Sequence, residues 1–511
     1  MFKNHPKGLL AAALANMGER FGFYTMMAIL VLFLQAKFGL NGTDAGIIYS
    51  IFYASIYILA LVGGYIADRT RNYKGTIMVG LFIMALGYLI LAIPTPTPVP
   101  NKTLLLILVC IGLFVIAFGN GLFKGNLQAL VGKMYDNNEY SKMRDAGFSL
   151  FYMFINVGAI FAPLFAVGIR NWWVNHNGFQ YSADLPSLCH GQIDGTLTPE
   201  AASRFSELAN TAAGTPVADL TQFANEYLNV FTTGYHYAFG IAIIAMGISI
   251  AIYMINRKGF PGVDSPKAAG AKADSKEIQM SVQEVRQRIY ALFAVFAVVI
   301  FFWFSFHQNG LTLTMFAKEY TDLSGIEINL GFVSIVGAEI FQSINPLFVV
   351  LLTPIIMAVF GWFRAKGMEP STPKKIAIGM FIAALGFVVM ALGSQGLPLH
   401  ADIVASGGLD NASRVSPFLL IGTYFILTVA ELFISPLGIS FVSKVAPPQY
   451  QGVMQGGWLG ATAVGNQLLF IGAIFYESIP IWMTWSVFVV ACLISMGTML
   501  AMLKWLERVA K

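Results

Sequence analysis

The chain has 511 residues, 57% hydrophobic and only 11% charged, with a mean hydropathy of +0.68. A soluble domain carries about 25% charged residues, so an ordinary water-soluble fold is excluded and a polytopic membrane protein is indicated. The net charge of +5 is scattered, with no basic cluster on a folded soluble segment, which argues against nucleic-acid binding.

Hydropathy predicts twelve spans, each near or above the roughly 20 residues that cross about 30 Å of hydrocarbon. They fall near 9–36, 45–67, 75–94, 103–130, 146–168, 235–255, 289–316, 331–360, 376–393, 416–443, 452–475 and 482–503. The apolar run from Leu9 outlasts a signal peptide and has no small-residue cleavage pattern. Cys110, Cys189 and Cys492 are scattered and make neither a disulfide framework nor a metal spacing.

Two segments interrupt the even spacing. Residues 169–234 read as a long outside loop, with helical stretches at Pro199–Leu208 and Pro216–Leu228. Residues 256–288 read as a cytoplasmic linker, rich in Pro, Gly, Ala and Lys to about Lys276, then a charged stretch, Glu277 to Arg288, suited to a short surface helix. The expected organisation is a six-helix bundle over 1–255, the linker 256–288 and a second six-helix bundle over 289–511, with no inserted helix hairpin between the halves. Such halves place a ligand site between them near the midplane. With both termini in the cytoplasm, Lys and Arg fall in the inside segments except for Arg20 and Lys124 within spans and Lys37, Lys102, Arg170, Arg204, Lys318 and Arg414 outside. The positive-inside rule favours that orientation.

Span one carries Asn16-Met17-Gly18-Glu19-Arg20-Phe21-Gly22-Phe23-Tyr24. Asn16, Glu19, Arg20, Phe23 and Tyr24 share one helix face, and charges at bilayer depth should look into a protein or aqueous interior. In span four, Asn120, Lys124 and Gln128 form a polar stripe; in span five, Tyr152 and Asn156 lie one turn apart. Span seven places His307 in the aromatic run Phe302 to Phe306; its unperturbed pKa is near neutral. Span eight offers Glu339, Gln342 and Asn345. Span ten offers Thr428, Glu431 and Ser435 before Pro436 and Gly438, an expected helix break, and span eleven Gln455, Trp458, Thr462 and Asn466.

The halves differ in embedded charge. Arg20 and Lys124 face only Glu19 in the first, whereas the second has Glu431, with Glu339, and no embedded Lys or Arg. A site between them suits a short zwitterion, carboxylate toward Arg20 and Lys124 and ammonium toward Glu431. Two or three residues of extended chain span roughly 7–11 Å. Phe23, Tyr24, Tyr57, Tyr152, Trp303 and Trp458 supply aromatic walls. These residues carry the argument to a zwitterion carrier and no further. H-E-x-x-H, G-x-S-x-G and paired aspartates are absent from the spans, so an enzyme is not expected.

The motifs resemble the proton-dependent oligopeptide transporter family of the major facilitator superfamily, over nearly the whole chain. Asn16 to Tyr24 is similar to the family's E-x-x-E-R-F-x-Y-Y, and Gly63 to Arg69 to G-G-x-x-A-D-R. Lys124-Gly125-Asn126 is similar to K-P-N, Phe151 to Gly158 to F-Y-x-x-I-N-x-G, and Phe341 to Pro346 to F-Q-S-x-N-P. Glu431 to Gly438 matches E-L-x-x-S-P-x-G, and Gly456-Gly457-Trp458 with Gly465-Asn466 the span-eleven pattern. The resemblance implies an all-α, twelve-span major facilitator fold and a monomeric symporter of the cell membrane. It would import di- and tripeptides with protons by alternating access and use no other cofactor. Arg20 and Lys124 would hold the peptide carboxylate, Glu431 the amino terminus, and Asn156 and Asn345 the peptide backbone. Tyr24, Tyr57 and Trp458 would shape the pocket, with Glu19, Arg20 and Lys124 in the network that couples protonation to opening.

The chain departs from that pattern at Asn16, where the family has glutamate, at Phe23 and Gly125, and at His307, where many relatives carry Asp or Glu. The paired changes at Asn16 and His307 suggest proton coupling through Glu19 and His307; alternatively His307 is a neutral strut and Glu19 alone titrates. A carrier of another small zwitterion or an anion such as nitrate is the other reading of function.

Overall fold

The computed structural model describes residues 5–135, 139–140, 144–261, 281–447 and 450–510. Among these described residues, twelve helical segments are long and apolar enough to cross a membrane. In the first half these are α1 (Gly8–Phe38), α2 (Gly42–Thr70), α3 (Tyr73–Ala92), α4 (Lys102–Met134), α5 (Arg144–His176) and, after the short helices α6 (Leu185–Asp194) and α7 (Pro199–Ala213), α8 (Leu220–Asn256). In the second half α9 (Val282–Phe306) and α10 (Thr312–Glu319) form one span. α11 (Ile344–Ala365) and α12 (Thr372–Gly393) follow, then the short α13 (His400–Ser406) and α14 (Pro417–Val445). The eleventh span is α15 (Gln451–Gln467) with α16 (Leu469–Ser478), and α17 (Ile481–Val509) ends the chain's helices.

Several helices start where a short polar side chain can satisfy the free amides of a first turn. Asn41, Asn72 and Asn101 accept from Asp44, Gly75 and Leu104 backbone N–H at the starts of α2, α3 and α4. Gly39 ends α1 in the left-handed region at φ 59°, which a glycine adopts without a Cβ penalty. Helix then packs on helix: α1 against α5 and α8, and α4 against α2 and α3, in one group; α12 against α14 and α17, and α9 against α15 and α17, in the other. At Gly63 a Cβ would lie 2.1 Å from the Gly121 carbonyl oxygen, so α2 and α4 meet backbone to backbone. The groups touch through α2 with α15 and α16, and through α5 with α11. Large apolar side chains such as Phe114, Ile244, Met357 and Ile494 are exposed, as a lipid-facing wall requires.

Several expectations change. The outside loop shrinks, because α5 runs on to His176 and α8 begins at Leu220, where the Asp219 carboxylate accepts from Thr221 and Gln222 N–H. The stretch from Pro216 therefore feeds the start of span six, while α7 forms as expected from Pro199, and α6 is an additional helix. Residues 262–280 of the linker lie outside the described residues, and 282–288 are the first turns of α9, not a separate surface helix. Span seven is interrupted by a 3-10 turn at His307–Gly310, and Glu339 and Gln342 sit in a second 3-10 turn before α11. Conversely α14 continues through Pro436 without a break. Span eleven divides at Leu468. Side chains satisfy the backbone at the first interruption: Gln342 Nε2 and Tyr424 Oη donate to the Asn309 carbonyl at 2.6 and 3.0 Å.

Candidate functional site: a charged cavity between the halves

The helical period of α1 turns Asn16, Glu19, Arg20 and Phe23 inward, and all four are buried. Arg20 grips its neighbour in a fork, Nε to Glu19 Oε2 at 2.5 Å and Nη2 to Oε1 at 2.6 Å. Asn120 Nδ2 of α4 adds a third donor to Glu19, at 2.8 Å. Glu19 is wholly buried behind this arrangement. The guanidinium packs 4.6 Å from the Phe23 ring centroid. Breaking a buried pair by removing one partner costs about 3–5 kcal/mol, so Glu19 and Arg20 hold each other.

Lys124 differs. It is half-buried, sits 5.2 Å over the Tyr57 ring, and among the described residues has no carboxylate within ion-pair distance. Across the cavity Glu431 of α14 accepts from Asn345 Nδ2 at 2.9 Å, and the same amide donates to Thr428 Oγ1 at 3.0 Å. Charge from Glu431 reaches Tyr24, Tyr53, Tyr57 and Tyr152 of the first half, and Arg20 reaches Tyr24, Tyr57 and Lys124. Arg20, Tyr24, Tyr57, Lys124, Asn345 and Glu431 are thus brought near one another where the halves meet. Trp458 is buried, its ring in the space left by Gly438, where a Cβ would fall 2.0 Å from Trp458 Cη2. Asn156 is buried and turns its amide back to the Tyr152 carbonyl at 3.2 Å.

His307 is 6% exposed, between Trp303 and Tyr53 with ring centroids 4.8 Å from each. Its Nδ1–H donates to Asn466 Oδ1, and Lys124 is its charged neighbour. Sequence reasoning named Tyr57 and passed over Tyr53, although Tyr49, Tyr53 and Tyr57 recur every fourth residue. Glu339, expected as a second embedded carboxylate of the cavity, lies instead at the end of the molecule away from the termini, in a buried ion pair with Arg170, a residue expected in the outside loop. Tyr235 Oη joins Glu339 at 3.0 Å. Gln128 of the polar stripe is exposed.

Two helical groups around a polar, oppositely charged interior define a membrane transporter of the two-bundle class. The sequence model of the POT family matches residues 74–271 and 265–480. The peptide transporter YePEPT of Yersinia enterocolitica is 30% identical over 487 residues, covering 91% of this chain and 87% of its own. A di-/tripeptide transporter of Lactococcus lactis is 26% identical, covering 91% and 89%, and dipeptide and tripeptide permease B of Xenorhabdus bovienii is 26% identical, covering 99% and 97%. A crystal structure of a peptide transporter POT in complex with sulfate superposes on all of this chain and 96% of its own, with TM-score 0.71 at 23% identity. The chain belongs to the POT family. It is a multi-pass membrane protein with the major facilitator fold.

Proposed function

We propose that the protein takes up di- and tripeptides with protons, by alternating access of two bundles divided at the 256–288 linker. The observation that carries this reading is the opposed pair: Lys124, with no carboxylate partner among the described residues, on one wall, and Glu431 held by Asn345 on the other. A peptide carboxylate on Lys124 and a peptide ammonium on Glu431 would neutralise both. Arg20 has two of its nitrogens engaged by Glu19, so its contribution to the carboxylate is through the remaining nitrogen and its field. Tyr24, Tyr57 and Trp458 form walls, and Asn156 and Asn345 offer amides to the peptide backbone. The names of the curated relatives, transporters of peptides, dipeptides and tripeptides, support the same cargo. Glu431 disfavours the anion alternative, since a carboxylate facing nitrate only repels it.

Protons are the proposed coupling ion, carried by Glu19 within the Arg20–Lys124 network and by His307. The functional unit is a monomer in the cell membrane with both termini cytoplasmic. The deciding experiment is uptake of a labelled dipeptide into proteoliposomes under an imposed inward proton gradient, with N-acetylated dipeptide as competitor. Gradient-driven uptake that the blocked peptide inhibits poorly is expected. Equal competition by the blocked peptide would remove the ammonium from the assignment.

A further inference from the structure

Away from the central cavity, a second space of about 540 Å³ opens at the end of the molecule opposite the termini, walled by both halves. At its floor Glu477, the penultimate residue of α16, reaches across the seam. Its Oε1 accepts from Gly42 N–H at 2.6 Å, and its Oε2 from Thr43 N–H at 3.1 Å and Thr43 Oγ1 at 2.5 Å. These are the first amides of α2, while Asn41 supplies the cap for Asp44. A helix N-terminus stabilises negative charge, and here the charge comes from the other half of the protein. The fit is close: a Cβ on Gly42 would lie 2.9 Å from Glu477 Oε1 and 2.2 Å from Met315 Cε.

A second partner waits beside it. His400 of α13 gives Nδ1 to Glu319 Oε2 at 3.0 Å, and its Nε2 lies 3.9 Å from Glu477 Oε1, too far for a hydrogen bond. The other groups around the imidazole are Lys318 and Glu319 on α10 and Tyr476, which also donates to Glu319 at 2.9 Å. From α7, Arg204 is committed to the Gly407 and Leu409 carbonyls and to Asp410. Across the space stand Asp184, His190 and Asp194 of the first half. Burial works against a charged imidazole, but Glu319 and Glu477 outweigh it and raise the His400 pKa.

We propose that Glu477 is a positioning residue for the transport cycle, which shuts the outer end by capping α2 across the seam, and that protonated His400 releases it by competing for the same carboxylate. A neutral imidazole has no second N–H to offer, so the cap is unopposed. A protonated one donates from Nε2 and draws Glu477 back into its own half, and the seam loses its bonds to Gly42 and Thr43. The proposal does not depend on the cargo assigned to the central cavity.

The test uses the full chain in nanodiscs without substrate. Spin labels are placed at Lys102→Cys and Gln395→Cys, after replacement of Cys110, Cys189 and Cys492, and distances are read by pulsed dipolar spectroscopy at pH 8 and pH 5.5. In the wild-type background the longer, open distance should grow as pH falls. Glu477→Gln should raise the open-to-closed ratio roughly tenfold at pH 8, the change expected when a charge-assisted hydrogen bond is lost, and should flatten the pH response. Thr43→Val should shift it in the same direction, which keeps the test decisive if Glu477→Gln folds poorly. His400→Gln should stay closed at both pH values, and Glu477→Asp should recover part of the closure. A wild-type distance distribution in both Glu477→Gln and Thr43→Val, or a full pH response in His400→Gln, overturns the proposal.

Discussion

Lys124 and Arg20 are both cations in the first half, yet their surroundings separate their tasks. Arg20 is forked onto Glu19, whereas Lys124 packs on the Tyr57 face with no ion pair among the described residues. Lys124→Ala should therefore cost substrate affinity about 10- to 100-fold, the loss of a charge-assisted hydrogen bond, with the folded protein retained. Arg20→Ala should lower thermal stability as well, because Glu19 would be left buried and unpaired. Comparing dipeptide binding with melting temperature separates the two. On the opposite wall, Glu431→Gln should weaken binding of the free dipeptide roughly 10- to 100-fold and leave an N-acetylated dipeptide unchanged. His307→Ala should abolish gradient-driven uptake and preserve counterflow; uptake unchanged by the substitution would leave Glu19 as the sole proton carrier.

Among the elements, the close crossing of α14 and α15 and the position of α13 can each be tested by one substitution. Trp458 fits only because Gly438 has no side chain. Gly438→Val overpacks this contact and should cost about 1–3 kcal/mol, seen as a lower melting temperature together with loss of dipeptide binding as the indole leaves the cavity wall. His400 anchors α13 to α10. Its pKa is raised in the folded protein, so its contribution to stability is fully present below the ordinary histidine value and fades as pH rises through the raised one. His400→Gln should therefore lower the melting temperature at pH 5.5 and have little effect at pH 9. The interruptions of spans seven, eight and eleven were not legible from hydropathy, which measures how apolar a stretch is and not where its amides bond. Gln342 and Tyr424 rescue the Asn309 carbonyl from helices that are distant in sequence.

For the molecule as a whole, the halves are fastened at the end away from the termini. Arg170 with Glu339, Asn171 with the Ser334 and Val336 carbonyls, Arg204 with Asp410, and Arg414 with Asp184 all join the halves there. A cavity closed at that end should be reached from the other. Tyr152 is 53% exposed, and Tyr152→Cys in a cysteine-free background should react with a membrane-impermeant thiol reagent faster in inside-out than in right-side-out vesicles. The reverse order would contradict either cytoplasmic termini or outer closure.

The twelve spans, the inward face of α1 and the embedded charges were legible in the sequence. Burying an ion in hydrocarbon is costly enough that Glu19, Arg20, Lys124 and Glu431 stand out against their neighbours, and the order of short motifs around them pointed to the family. Tertiary structure alone decided which charges pair. Glu339 and Arg170 are 169 positions apart, and nothing local in either stretch predicts that they meet. The same holds for Glu477 at the start of α2, more than 400 positions from Gly42 and Thr43. Hydrophobic pattern and local charge cost determine which side chains must face inward; their partners are set by how the helices cross.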